Sequence, residues 1–382
     1  MLLLFCSTLI FLNTTGFFST CQWFFSKKSI ILKSSDCPKS LELAKINLLE
    51  AKSVKKILSN LMSWMRRFLS GSFYNRHSLW QTYPTLFAAT VEPKYTVPGL
   101  KKAQTINLAN LPNSCLAMTP QGLTVTEDFL LISAYCHQHQ HHSVIYVLDR
   151  ETGARIKTIF LPDLPHVGGL AYDPNHQKIW VSNNAGKNAA VAAITLADIE
   201  AYDQRNGKPI VYQQKVALKE LPRASALTYD HGYLVVALFT LKQAGQIVCY
   251  PIDDSGNLKE ATNLLATPRN TTPALLESDS GTLAIPQKIQ GVTFYKNFLL
   301  LSQSWGKQAG KIFVFDIHKT TDFSDLRQAK QTITTPPYLE QIIVEGDQLF
   351  ALFESGAAAY RKKAPLVMKE VLQLDLNQLL ND

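Results

Sequence analysis

An all-β chain made of one sheet unit repeated several times is what this sequence predicts, and three observations carry that expectation. From Gln104 onward, apolar residues come in short runs separated by Gly/Asn/Asp/Pro turns, the pattern of half-buried strands and not of helices. The runs recur in a fixed order, five times over. Each recurrence closes its third run on an aspartate, at Asp149, Asp198, Asp253, Asp316 and Asp375. A single sheet of this size cannot bury both its faces, whereas sheets stacked around an axis can, so the prediction is a five-bladed β-propeller. Six blades is the rival count, with Gly256–Thr282 as the stretch that would hold a degenerate sixth.

The elements follow the same order in every unit. A first strand opens each: "PQGLTV" from Pro120, "VGGLAY" from Val167, "ASALTY" from Ala224, "IQGVTF" from Ile289 and "LEQIIV" from Leu339. A second follows a tight turn: "FLLISAY" from Phe129, "KIWVSNN" from Lys178, "YLVVALF" from Tyr233, "FLLLSQS" from Phe298 and "QLFALFE" from Gln348. The third strand ends on the aspartates named above, and a weaker fourth is clearest at "ARIKTIFLP" from Ala154. The last unit is expected to lack a fourth strand of its own. Its place is assigned to the "AQTINLANLP" segment from Ala103, which matches "ARIKTIFLPDLP" and would close the ring by removing an open sheet edge.

Those motifs, from "PQGLTV" through "SVIYVLDRETGARIKTIFLP" to "HVGGLAYDP" and "IWVSNN", resemble bacterial propellers with NHL/YVTN-type blades over roughly residues 103–376. The resemblance implies blade geometry, with the "LDxxTG" turn as structural punctuation, and no particular activity. More distantly, the "QGL" opening and five-fold repeat are similar to plant-type glutaminyl cyclotransferases. The acidic catalytic stretch of that family has no counterpart here, so no catalytic residue is carried over.

Ahead of the body, 101–382, lie three segments. Residues 1–26 hold no charge and are rich in Leu, Ile and Phe, which suits a membrane anchor or a signal segment. Residues 36–70 read as a basic amphipathic helix, with Leu43, Ile46, Leu49, Val54, Ile57, Leu61 and Trp64 on one stripe. Residues 71–100 read as a linker. Of the formal net charge of +8, residues 1–70 carry +7, so the body is almost neutral. A basic helix beside an apolar run fits an anionic membrane face, while cations directly after a spanning segment favour the cytoplasmic side, against an extracellular body. The expected setting is therefore membrane-associated or extracellular, with orientation open. Nucleic acid is a poor partner for this charge layout, since the repeats lack interleaved arginines and aromatics.

Loops joining second to third strands share one face of a propeller with the loops that lead into each blade. On that face lie Lys187, Lys242, Lys307 and Lys362, a cationic set suited to a protein, peptide or anionic polymer. Candidate ligand-binding residues around the axis are Gln121, Tyr135, His166, Asn183, Gln290, Gln303, Trp305 and Lys307, a mixture of amides and aromatics suited to a polar ligand. Glu340 and Glu354 are the candidate acid/base pair, on condition that they come within reach of each other. The run Cys136-His137-Gln138-His139-Gln140-His141-His142 supports two readings: a divalent-metal site of His137, His139, His141 and His166, or a disulfide between Cys115 and Cys136. The reading preferred from these residues is a membrane-tethered or secreted binding and scaffold module. The alternative is an enzyme with its site in the channel, cyclotransferase-like or lactonase-like, the latter requiring a divalent cation.

Overall fold

In the computed structural model, the backbone is described over residues 8–12, 18–25 and 30–33, and whole residues over 79–91, 94–258 and 282–380. The chain divides into two units, Met1–Phe73 and Tyr74–Asp382. In the first, β1 (Thr8–Leu12), β2 (Phe18–Phe25) and β3 (Ile30–Lys33) form an antiparallel sheet in the order β1-β2-β3. The apolar run is thus extended there, and among the described residues no helix is long and apolar enough to cross a membrane. The amphipathic helix expected over 36–70 lies outside the described residues.

The second unit is a five-bladed propeller. After a hairpin of β4 (Ala103–Ile106) and β5 (Pro112–Cys115), blade 1 holds β6 (Met118–Val125), β7 (Phe129–Cys136), β8 (Val144–Asp149) and β9 (Arg155–Phe160). Blade 2 holds β10 (Leu170–Asp173), β11 (Lys178–Ala185), β12 (Asn188–Thr195) and β13 (Gln214–Leu218). Blade 3 holds β14 (Ala226–Asp230), β15 (Tyr233–Leu238), β16 (Gly245–Pro251) and β17 (Thr282–Ile285). Blade 4 holds β18 (Ile289–Tyr295), β19 (Phe298–Gln303), β20 (Gly310–Asp316) and β21 (Gln331–Thr335). Blade 5 has β22 (Leu339–Glu345), β23 (Gln348–Phe353) and β24 (Leu372–Asp375). Every sheet runs in sequence order and is antiparallel throughout. Residues 259–281, most of the stretch weighed for a sixth blade, lie outside the described residues.

Ring closure uses a different segment from the one expected. The Ala103 strand pairs with β5 as a local hairpin, Ala103 opposite Cys115. The residues that lie along β24 and the stretch before it come from just upstream, at 89–91 and 94–97. Asp375 N–H donates to Ala89 O (2.8 Å), Val91 N–H to Gln373 O (2.8 Å), Val371 N–H to Tyr95 O (3.0 Å) and Val97 N–H to Lys369 O (2.9 Å). Tyr95 and Val97 are buried while Lys94 and Thr96 are exposed, the two-residue alternation of a strand with one covered face. The alternation is too short to stand out in the sequence, and Pro98 ends it.

Packing between blades is apolar and dry. Leu131, Ile145, Val147 and Ile159 of blade 1 meet Leu170, Ile179, Val181 and Ile194 of blade 2, all essentially without solvent exposure. Each such side chain contributes about 1.5–3 kcal/mol by leaving water. Near the axis the inner strands come so close that side chains have no room. A Cβ on Gly169 would sit 2.4 Å from Leu227 N, and one on Gly291 2.7 Å from Ile342 N.

One side chain occupies the middle of the axis. Gln341 is fully buried. Its Oε1 accepts from Leu123 N–H (2.8 Å) and Leu170 N–H (2.9 Å), and its Nε2 donates to Leu170 O (2.7 Å) and Leu227 O (2.8 Å). A single amide from blade 5 therefore ties blades 1, 2 and 3 together and separates the funnel at the loop end from a smaller cavity of about 340 Å³ at the other end of the axis.

Candidate functional site

The inner strands of blades 1, 4 and 5 each break register where they approach the axis. The irregularities fall between Pro120 and Leu123, Ile289 and Gly291, and Leu339 and Ile342. A bulge of this kind re-aims side chains out of the pleat. The residues at these breaks are Gln121, Gln290, Glu340 and Gln341. The backbone leading into β22 is also held in the left-handed region, at Tyr338 (φ 64°), with Lys288 (φ 64°) in the matching place of blade 4 and Val167 (φ 51°) one residue further on in blade 2. A bulky residue seldom adopts that conformation unless its surroundings impose it. Serines on second strands absorb the irregular backbone: Ser133 Oγ accepts from Gly122 N–H (2.9 Å) and donates to Val167 O (2.7 Å), and Ser302 Oγ donates to Glu340 O (2.8 Å).

The bulges bring two carboxyl groups together. Glu340 comes from the break in β22 and Glu354 from just past the end of β23, and the two carboxyls are close enough to shift each other's titration. Both are buried, 3% and 9% exposed. Gln121 Nε2 donates to Glu354 Oε2 (3.0 Å) and Gln290 Nε2 to Glu340 Oε1 (3.3 Å). Tyr360 neighbours Glu354 and Tyr135, and Tyr135 Oη lies 3.0 Å from His137 Nδ1. Burial pushes the Glu354 carboxyl up to about 8. Burial, with the neighbouring Glu354 charge adding to it, raises Glu340 well above the usual carboxylate range. The Tyr135 and Tyr360 hydroxyls are raised too, first by burial and then by Glu354. Two carboxyls this close share protons, because ionising both would set like charges together out of water. At neutral pH both carboxyls are therefore held largely protonated, and an acid and a base stand side by side only once Glu354 ionises, near pH 8.

Next to the pair, on the far side of Gln121 and Gln290, is a cavity of about 730 Å³, built from blades 1 to 4. Gln121, His166, Asn183, Gln290 and Trp305 of the expected set line it. The amides of Gln121 and Gln290 thus face the cavity and hold the carboxyls at the same time. Tyr135 stands behind the lining, buried, with the His166 ring centroid 4.2 Å from its own. Gln303 does not reach the cavity: its Nε2 donates to Gln287 O (2.8 Å). Lys307 is exposed on the β19–β20 loop, outside the lining. Three contributors went unread in the sequence. Arg223 and Phe239 line the cavity, Phe239 5.7 Å from Trp305 between ring centroids, and Tyr360 joins the carboxyl pair. Tyr360 sits in a loop conspicuous only for its lysines, and Arg223 precedes the blade 3 opening, with no repeat position to mark it. With Lys187 and Arg223, the lining carries two cations and no carboxylate.

The histidine run is divided between two places. His137, His139 and His166 gather around the Tyr135 ring, at 6.0, 5.9 and 4.2 Å between centroids. His141 turns the other way, its Nδ1 3.4 Å from Cys136 Sγ. The four imidazoles expected as one ligand set are therefore not assembled as one. Cys115 and Cys136 do meet, with their sulfurs 3.4 Å apart as free thiols and not as a disulfide.

No family model and no curated protein matches the chain. Solved structures similar to it include one of a nidogen/laminin complex (15% identity, 66% of this chain and 84% of that one, TM-score 0.35). The Dos1 propeller is similar at 11% identity, over 72% of this chain and 62% of that one, with a TM-score of 0.31. Hydrazine synthase of Kuenenia stuttgartiensis is similar at 12% identity, over 66% and 87%, with a TM-score of 0.33. At these identities and TM-scores the likeness bears neither on a role for this chain nor on the narrower resemblance to cyclotransferases.

Proposed function

We propose that the funnel binds a small polar anion, held by Arg223 and Lys187, oriented by the amides of Gln121, Asn183 and Gln290, and covered by Trp305 and Phe239. The observation that carries this reading is the lining itself: two cations, several amides and an aromatic pair around a volume typical of small-molecule sites. Trp305, 52% exposed at the rim, supplies the signal for a test. Titration of the full chain with inorganic phosphate and with citrate, followed by tryptophan fluorescence, is expected to saturate for at least one of them. Arg223→Ala should weaken that binding roughly tenfold or more, the worth of a charge-assisted hydrogen bond. Fluorescence that stays flat with both probes, or binding indifferent to Arg223→Ala and Lys187→Ala, would refute the reading.

The proton-sharing carboxyls favour a second reading, in which the bound ligand is also a substrate for general acid–base chemistry by Glu340 and Glu354. A panel of amides, esters and lactones, with and without divalent metal, tests it: rates unchanged in Glu340→Gln and Glu354→Gln would exclude the pair. The exposed Lys242, Lys307 and Lys362 extend positive charge beyond the funnel, which supports docking of a larger anionic or protein partner on this face. Tethering to a membrane rests on the apolar composition of residues 1–26, and fractionation of the full chain against one beginning at Tyr74 tests that.

A further inference from the structure

We propose that Cys115, Cys136 and His141 form a three-ligand site for a thiophilic cation, Zn²⁺ above all, that staples the β4–β5 hairpin to blade 1. Three separate stretches of backbone deliver the ligands. Cys115 ends β5, Cys136 ends β7, and His141 lies in the loop that follows, opposite Asn107 across a β-bridge. That loop is fastened to the hairpin, with His142 N–H donating to Ile106 O (3.0 Å) and Thr105 Oγ1 to His142 O (2.9 Å). The three ligand atoms all lie within 4.8 Å of one another.

The spacing is that of a metal's coordination shell. Tetrahedral zinc with Zn–S of about 2.3 Å and Zn–N of about 2.05 Å sets neighbouring ligands about 3.8 Å (S···S) and about 3.6 Å (S···N) apart. The observed separations are 3.4 Å for Cys115 Sγ to Cys136 Sγ and 3.4 Å for Cys136 Sγ to His141 Nδ1, so these two pairs need outward movements of only a few tenths of an ångström, and the third pair lies within 4.8 Å. Two features have no role in a plain disulfide. An imidazole nitrogen is aimed at the thiol pair, and Ala117 N–H donates to Cys115 Sγ (3.3 Å), the kind of bond that steadies a thiolate. Both cysteines are buried whereas His141 is half-buried, so the fourth position opens toward solvent on the histidine side.

The test uses the full chain, reduced and freed of reductant without air, titrated with Co²⁺ as a spectroscopic stand-in for Zn²⁺. One equivalent is expected to saturate a thiolate-to-cobalt charge-transfer absorption that Zn²⁺ then abolishes. Cys115→Ser and Cys136→Ser should each lose stoichiometric binding, His141→Ala should weaken it roughly tenfold or more, and His137→Ala with His139→Ala should leave it intact. No charge-transfer band in the reduced wild-type chain would overturn the site without recourse to any variant. So would a band that survives Cys136→Ser, or one lost on removing His137 and His139. A Cys115–Cys136 disulfide in the isolated protein, joined to failure of the reduced form to bind Co²⁺, would assign these thiols to a redox crosslink instead.

Discussion

The paired carboxyls make the propeller's stability depend on pH in a direction opposite to that of ordinary salt-bridged acids. Folding buries Glu340 and Glu354 and raises both, Glu354 to about 8 from a reference of 4.5. Between those values the folded chain holds protons that the unfolded chain has released, so stability falls as pH rises through this window and is complete below it. One pKa unit corresponds to about 1.36 kcal/mol, which makes the loss for Glu354 on the order of a few kcal/mol between pH 5 and pH 9. That is a sizeable part of a typical domain's stability of about 5–15 kcal/mol. The double variant Glu340→Gln with Glu354→Gln replaces the protonated pair with neutral groups of the same shape, and Gln121 Nε2 keeps an acceptor at the second position. Urea unfolding at pH 5, 7 and 9 should show the wild type losing stability across the series and the variant losing less, by that same few kcal/mol. Parallel pH profiles for the two proteins would mean that the carboxyls do not carry a raised pKa in the folded state, and the proton-sharing site would fall with them.

Gln341→Leu should cost about 3–6 kcal/mol in urea unfolding, since it orphans two buried amide N–H groups and removes the bonds that join four blades; a loss under about 1 kcal/mol would show that the axis is not held there. A chain beginning at Tyr74 should melt at the temperature of the full chain's propeller, whereas one beginning at Gly99 should melt lower or aggregate, because it exposes the edge of β24; calorimetry of the two decides it. Gly169→Ala should destabilise by about 1–3 kcal/mol, its new methyl pressing on the backbone of blade 3, and equal thermal midpoints for variant and wild type would contradict the close approach described here.

Reading the residues in order goes far because a propeller is a local fold: each sheet pairs strands adjacent in sequence. The period-two runs, their turns and the closing aspartates therefore mark all five sheets, and the loop face with its lysines and amides follows. Glu340 and Glu354 were legible as a conditional pair, being acids at the inner opening and the outgoing end of one blade. What the order of residues leaves open is every relation across the ring. Closure by residues 89–91 and 94–97 rests on backbone hydrogen bonds to a stretch nearly three hundred residues away, which pair N–H with C=O whatever the side chains are. The bulges that aim Gln121, Gln290 and Glu340 inward have a sign only in their "QG" and "EQ" positions. The approach of the carboxyls, the choice of Gln341 to fill the axis, and the parting of His141 from the other imidazoles toward Cys136 depend on how strands from different blades converge. Sequence determined which strands pair with their neighbours, because those contacts are local. Tertiary structure decided which side chains meet at the axis, because only the closed ring brings them within a few ångströms of one another.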